Sequence, residues 1–328
     1  MRRSVWGGVA ALALVGAGLT AGATGASAAV LVGGGADDCT PGAASGARVP
    51  DGHSIKSDPN SLSAPQVAAR AADFSKQRAK LGYDKSSSPR LDNGSQRIKT
   101  IVHVIRRNNG SGNTTTNKQV RRQIKVLNNA FSGDTAKASV NTPFRFRIKD
   151  IDRKNNTDWY NWDIQDDDAE AKDELHRGGF RTLNLYVTKL DGGLLGYATF
   201  PTANDKRLFL DGIVVTKESL PGGSAAPYNK GDTATHEAGH WLNLYHTFQG
   251  GCSDPGDYVV DTPRQRAGNN VFKCNPDLNT CGNNDGSEAL RDPVHNFMNY
   301  TDDKCMNRFT RGQEDRMELS WLAYRKGQ

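Results

Sequence analysis

The chain has 328 residues, with 42 Lys and Arg against 36 Asp and Glu, a formal charge of +6 and 36% hydrophobic residues. Acidic residues nearly match basic ones, and no aromatic positions alternate with Arg97, Lys99, Arg106, Arg107, Arg121, Arg122 and Lys125, so a nucleic-acid partner is not expected. Those basic residues read as a solvated face, and beyond the N-terminal stretch no apolar run is long enough to span a bilayer, so stable membrane association is not expected.

Met1-Arg2-Arg3 precedes an uncharged stretch, Ser4 to Ala28, that ends in the small residues Ala26-Ser27-Ala28. This is the pattern of a signal peptide over residues 1–28, and it implies export. Residues 29–96 form a leader dominated by Gly, Ala, Ser, Pro, Asp and Lys, with few large apolar side chains beyond Leu62, Val67, Phe74, Leu81 and Tyr83. Such a composition buries little core, so a propeptide is expected. Within it a helix is expected, with Ser63 as N-cap, Pro65 in the first turn and Gly82 as the stop.

From residue 97 to 328 the pattern is that of a packed domain. Ile98 to Ile105 is β-branched and reads as a strand, and Asn117 to Phe131 carries Val120, Ile124, Leu127 and Phe131 at helical spacing. Strands follow at Phe144–Ile148, Leu183–Val187, Leu195–Phe200 and Leu210–Val215. A helix is expected over Asp232–Asn243. The stretch Thr247–Arg308 then reads as loop, and Thr310 with Gln313 opens a last helix carrying Met317, Trp321 and Tyr324.

The chemistry lies in His236-Glu237-Ala238-Gly239-His240-Trp241-Leu242-Asn243-Leu244-Tyr245-His246. On a helix His236 and His240 stand one turn apart on one face, so both imidazoles reach one zinc ion. Glu237 lies beside them, placed as a general base for an attacking water. A third ligand at His246 requires the chain to turn back sharply near Asn243. The alternative third ligand, a downstream Glu, is missing, because none occurs between Glu237 and Glu288. His53, His103, His176 and His295 read as structural.

Five cysteines in an exported chain, Cys39, Cys252, Cys274, Cys281 and Cys305, predict disulfides among the last four. Three connectivities are open to those four. Cys39 is left over in the leader. A thiolate is a strong zinc ligand, so Cys39 is a candidate switch that silences the metal site before the leader is removed.

The run His236–Phe248, the segment His295–Tyr300 and Asp257–Pro263 resemble the pappalysin family of metzincin metallopeptidases, from about residue 97 onward. The resemblance implies an α/β (α+β) fold: a twisted mixed sheet with two long helices above the cleft, and an irregular disulfide-bound lower part. It further implies Met298 as the Met-turn residue, Tyr300 as a tyrosine that steadies the transition state, and the disulfides Cys252–Cys281 and Cys274–Cys305. A calcium site at Asp257, Val260 and Thr262 is implied in the same way, as is a cleft-edge strand over Leu194–Pro201 that pairs with extended substrates. The metzincin pattern has Gly where this chain has Asn243, which tolerates a left-handed backbone. The expected function is secreted, zinc-dependent hydrolysis of protein or peptide substrates by a monomeric enzyme made as a zymogen. The rivals are a secreted zinc-binding protein without catalysis and an adhesin on the same scaffold.

Overall fold

The computed structural model describes residues 45–52, 62–83, 90–282 and 290–326; the segment 1–28, Cys39 and His53 lie outside these. The chain contributes β1 (Ser45–Arg48), α1 (Ala64–Lys80), β2 (Gln96–Arg106), α2 (Asn117–Phe131), β3 (Phe144–Asn155) and two short helices, α3 (Thr157–Tyr160) and α4 (Asp168–Leu175). Then come β4 (Thr182–Thr188), β5 (Gly196–Thr199), β6 (Ile213–Thr216), α5 (Asp232–Trp241) and α6 (Arg311–Ser320).

One six-stranded sheet has the order β1-β5-β6-β4-β2-β3. The strands β2, β3, β4 and β6 are parallel, while β5 runs antiparallel to β6 and β1 antiparallel to β5. The period-2 side-chain rule explains why both faces are buried. Leu183, Leu185 and Val187 of β4 pack with Val120, Ile124, Leu127 and Phe131 of α2 and with Trp241 of α5, while Tyr186 enters a second core with Trp159, Trp162 and Tyr197. The mixed sheet with α2 and α5 packed on one face, above a loop-rich disulfide-bound part, is the expected α/β architecture.

Several elements differ from the sequence reading, among them the strand expected over Phe144–Ile148, which runs on to Asn155. The helix expected to reach Asn243 stops at Trp241, because Asn243 adopts a left-handed φ of 81°. The strand expected from Leu210 begins at Ile213, since Asp205–Leu210 forms a 3₁₀ turn. The leader does more than contribute one helix, for β1 joins the sheet itself. Its helix α1 buries Val67 and Phe74, with Phe74 stacked on Tyr324 at 5.9 Å and the Tyr324 hydroxyl donating to Asp73 at 2.8 Å.

The chain end is fastened to the site-bearing helix. Arg325 is fully buried, its guanidinium lies 3.4 Å from the Trp241 ring centroid, and it donates to both Asp211 oxygens and to the Trp241 carbonyl. The Trp241 indole donates to the same Asp211, at 2.9 Å. Breaking such a buried pair from one side costs about 3 to 5 kcal/mol.

Candidate metal centre and cleft

Helix α5 starts after Gly231, whose φ of 100° makes the entry turn, and every residue of it is buried. It presents His236 and His240, and the turn at Asn243 brings the chain back so that His246 faces both. The three Nε2 atoms lie 3.0, 3.0 and 3.2 Å apart. Nitrogen ligands of a tetrahedral zinc, about 2.0 to 2.1 Å from the metal, stand about 3.3 Å apart, so the triad fits one ion. The outer nitrogens fix the tautomers, because Nδ1 of His236 donates to the Phe297 carbonyl at 2.7 Å and Nδ1 of His240 to the Leu244 carbonyl at 2.7 Å. Each of these two Nε2 lone pairs is thereby turned inward. Burial also pushes the imidazole pKa values down, to about 4 for His240 and well below the ordinary value for His236 and His246. Neutral imidazoles are what a metal requires.

The lower wall is built around Met298. A Cβ on Gly239 would meet the Met298 sulfur at 2.4 Å, so a glycine between the two helical histidines lets the helix rest on that side chain. Tyr300 is fully buried, with its ring 4.8 Å from His246 and 5.8 Å from His236, and Phe248 stacks on His246 at 4.8 Å. Glu237 is fully buried on the opposite side, against β5, where a Cβ at Gly196 would come 3.1 Å from the Glu237 Cγ.

At the edge of the sheet, β5 is already paired. The leader strand β1 lies antiparallel along it, with Arg48 opposite Gly196 and Ser45 opposite Thr199. Arg48 is fully buried and paired with Asp303 at 3.0 Å; it also donates to the Thr233 hydroxyl at 3.1 Å and to the Thr301 carbonyl at 2.8 Å. Asp303 is held in turn by the amides of Lys230 and Gly231, at 2.7 and 3.2 Å. Sequence reasoning missed both residues. Asp302-Asp303-Lys304 mixes both charges, yet only Asp303 is buried; Arg48 stands in a leader segment with no periodic signal at all.

Below the cleft, Cys252 is bonded to Cys281 and Cys274 to Cys305. Asp257 is buried beside the Thr262 hydroxyl, which is also buried. Burial raises the Asp257 pKa to about 7, opposed by the Val259 amide and by Arg316. Val260 is fully exposed, so its side chain contributes nothing there. His295 gathers with Cys274 and Cys305, but those sulfurs are joined to each other and are not thiolates. His103 is buried, stacked on Tyr186 at 4.9 Å, with Nε2 on the Asn184 amide oxygen at 3.0 Å.

The chain resembles known proteins over most of its length. The family profile described as pregnancy-associated plasma protein-A matches residues 179–321. The extracellular metalloprotease 1 of Coccidioides posadasii is 40% identical over 234 residues, which cover 70% of this chain and 78% of that protein. The extracellular metalloprotease of Arthroderma benhamiae is 38% identical over 236 residues, covering 70% and 74%. Promirolysin of Tannerella forsythia superposes with a TM-score of 0.63 and 28% identity over 83% of this chain and 93% of its own. Mature mirolysin in complex with a cleaved peptide does so with a TM-score of 0.57 and 29% identity over 72% and 98%. With a relative this similar along most of both chains, and with the histidine triad, Met298 and the mixed sheet arranged as described, the chain belongs to the pappalysin family of metzincin metalloproteases.

Proposed function

We propose that the protein is a secreted zinc-dependent endopeptidase, made as a zymogen, that cleaves extended segments of proteins before a basic residue. The observation that carries this reading is the pairing of β1 with β5 beside Glu237, which sets Arg48 of a substrate-like strand into the pocket of Asp303. His236, His240 and His246 would hold the metal through Nε2. Zinc, when bound, supplies a Lewis acid and a water of lowered pKa. Glu237 takes the proton of the attacking water and returns it to the leaving amine. The Tyr300 hydroxyl steadies the charge developing on the former carbonyl oxygen. Secretion is supported by the signal-peptide pattern and by relatives named extracellular metalloproteases.

The test is a split between metal and activity. Glu237→Ala is expected to keep about one zinc per chain while casein hydrolysis is lost, because the three imidazoles remain and the base does not. Full proteolysis by the zinc-loaded variant would leave a non-catalytic zinc-binding protein as the better reading.

The zymogen reading has residues 29–96 as propeptide, residues 97–328 as catalytic domain and Cys39 as the zinc-blocking thiolate. Support comes from the overlap with promirolysin, which reaches 83% of the chain against 72% for the mature form. In the full chain carrying Glu237→Ala, zinc-edge X-ray absorption is expected to show a sulfur ligand that disappears in Cys39→Ser. An all-nitrogen-and-oxygen shell in the parent would exclude the switch. The Asp257 carboxylate, the Thr262 hydroxyl and the main-chain oxygen of Val260 are proposed as calcium ligands, since the first two are buried side by side and a hard cation takes oxygen donors.

A further inference from the structure

A second recess, of about 580 Å³, opens where β2 and β4 begin, and none of its lining residues belongs to the metal centre. Arg97, Lys99, Arg181 and Arg325 line it together with Phe180 and Trp321, and no Asp or Glu does. Arg97, Lys99 and Arg181 are exposed and form no ion pair among the described residues.

Two further observations separate this recess from an ordinary solvated basic face. The first is strand register: Arg97 lies opposite Arg145 and Lys99 opposite Arg147 on the neighbouring strand, and while the Arg145 guanidinium is drawn off to the Phe131, Thr142 and Phe144 carbonyls, Lys99 and Arg147 remain a like-charged pair with both members exposed. Such a pair is destabilising unless a counter-charge joins it. The second is Arg325, almost completely buried at this recess, whose terminal nitrogens are taken by Asp211 and by the Phe180 and Trp241 carbonyls while its Nε–H has no partner among the described residues. Burial lowers its pKa, which marks the cost of holding that charge out of water.

We propose that this recess binds a small organic oxyanion, its phosphate, sulfate or carboxylate group held by Arg97, Lys99 and Arg181, and its body resting against Phe180 and Trp321. Guanidinium groups match the geometry of such anions and bind them with charge-assisted hydrogen bonds. A recess with one charged end and aromatic walls has the composition of a small-molecule site. The reading does not depend on the proteolytic chemistry, and it can fail or hold separately from it.

The test is calorimetric titration of the full chain carrying Glu237→Ala with inorganic phosphate and with phenyl phosphate, at fixed ionic strength and without calcium. Saturable binding is expected, tighter for phenyl phosphate, and weakened about tenfold or more in Arg97→Gln/Arg181→Gln. The control is Lys118→Gln/Arg121→Gln, which removes the same charge from the exposed face of α2 and is expected to leave the affinity unchanged. Absence of a saturable heat with either anion overturns the proposal. Equal weakening in both double variants also overturns it, because net charge alone would then explain the binding. All four residues are exposed, so the variants are expected to unfold at the parent's temperature.

Discussion

At the scale of single residues, the proposed function gives Asp303 the task of choosing the side chain that follows the cleaved bond. Its carboxylate is buried, with Oδ2 held by the amides of Lys230 and Gly231 while Oδ1 meets the Arg48 guanidinium, so the backbone fixes its position independently of that partner. A peptide with Arg after the scissile bond gains that pair, whereas one with Leu leaves the carboxylate unanswered. Asp303→Asn is expected to lower kcat/KM for the Arg peptide roughly thirtyfold or more, with a smaller effect on the Leu peptide. An unchanged Arg-to-Leu ratio would remove Asp303 from the pocket. The contrast with the metal residues explains what the sequence could disclose. His236, His240 and His246 sit within eleven residues, so helical geometry alone relates two of them. Arg48 and Asp303 are 255 positions apart, and nothing local in either one announces the other.

At the scale of elements, β1 explains more than its four residues suggest. It is legible only through its partner: Ser45-Gly46-Ala47 has no alternation and little β-propensity, and it becomes a strand because β5 offers an unpaired edge. Helix α2, by contrast, carries its own signal in the spacing of Val120, Ile124, Leu127 and Phe131 and was readable from the chain alone. The register gives a prediction about processing. Arg48 lies opposite Gly196, and Gly196 abuts Glu237, so on the proposed function the Ala47–Arg48 peptide bond is the one offered to the base. Upon zinc loading, the first self-cleavage is expected to create Arg48 as a new N-terminus, detected by mass spectrometry of the N-terminal peptides. An Arg48→Ala chain is expected to be processed far more slowly. A first cut elsewhere in the leader would mean that β1 blocks the cleft without imitating a substrate.

At the scale of the whole molecule, stability should depend on calcium and pH together. The folded-state pKa of Asp257 is raised to about 7, above its unfolded value of about 3.9, so the folded chain holds a proton there that the unfolded chain has lost. Without calcium, the stability tied to that proton is fully present below about pH 4 and is lost as pH rises through about 7. Calcium needs the carboxylate, so protons compete with it. The gain in Tm on adding calcium to the zinc-saturated enzyme is expected to be small near pH 5.5 and large near pH 8. Equal gains at both pH values, or none, would dismiss Asp257 as a ligand.

If β1 leaves with the leader, as the zymogen reading has it, its departure from the sheet has a further consequence. An open strand edge recruits any chain able to lie flat along it, and a long one invites self-association. While β1 is in place β5 presents no such edge. Afterwards the same edge admits only segments that can surrender their own structure for at least four residues, the length of the β1–β5 ladder. Selection would then act on the conformation of the target before its sequence. Basic residues inside helices or tight domains would be spared, and those in loops, tails and unfolding proteins would be taken.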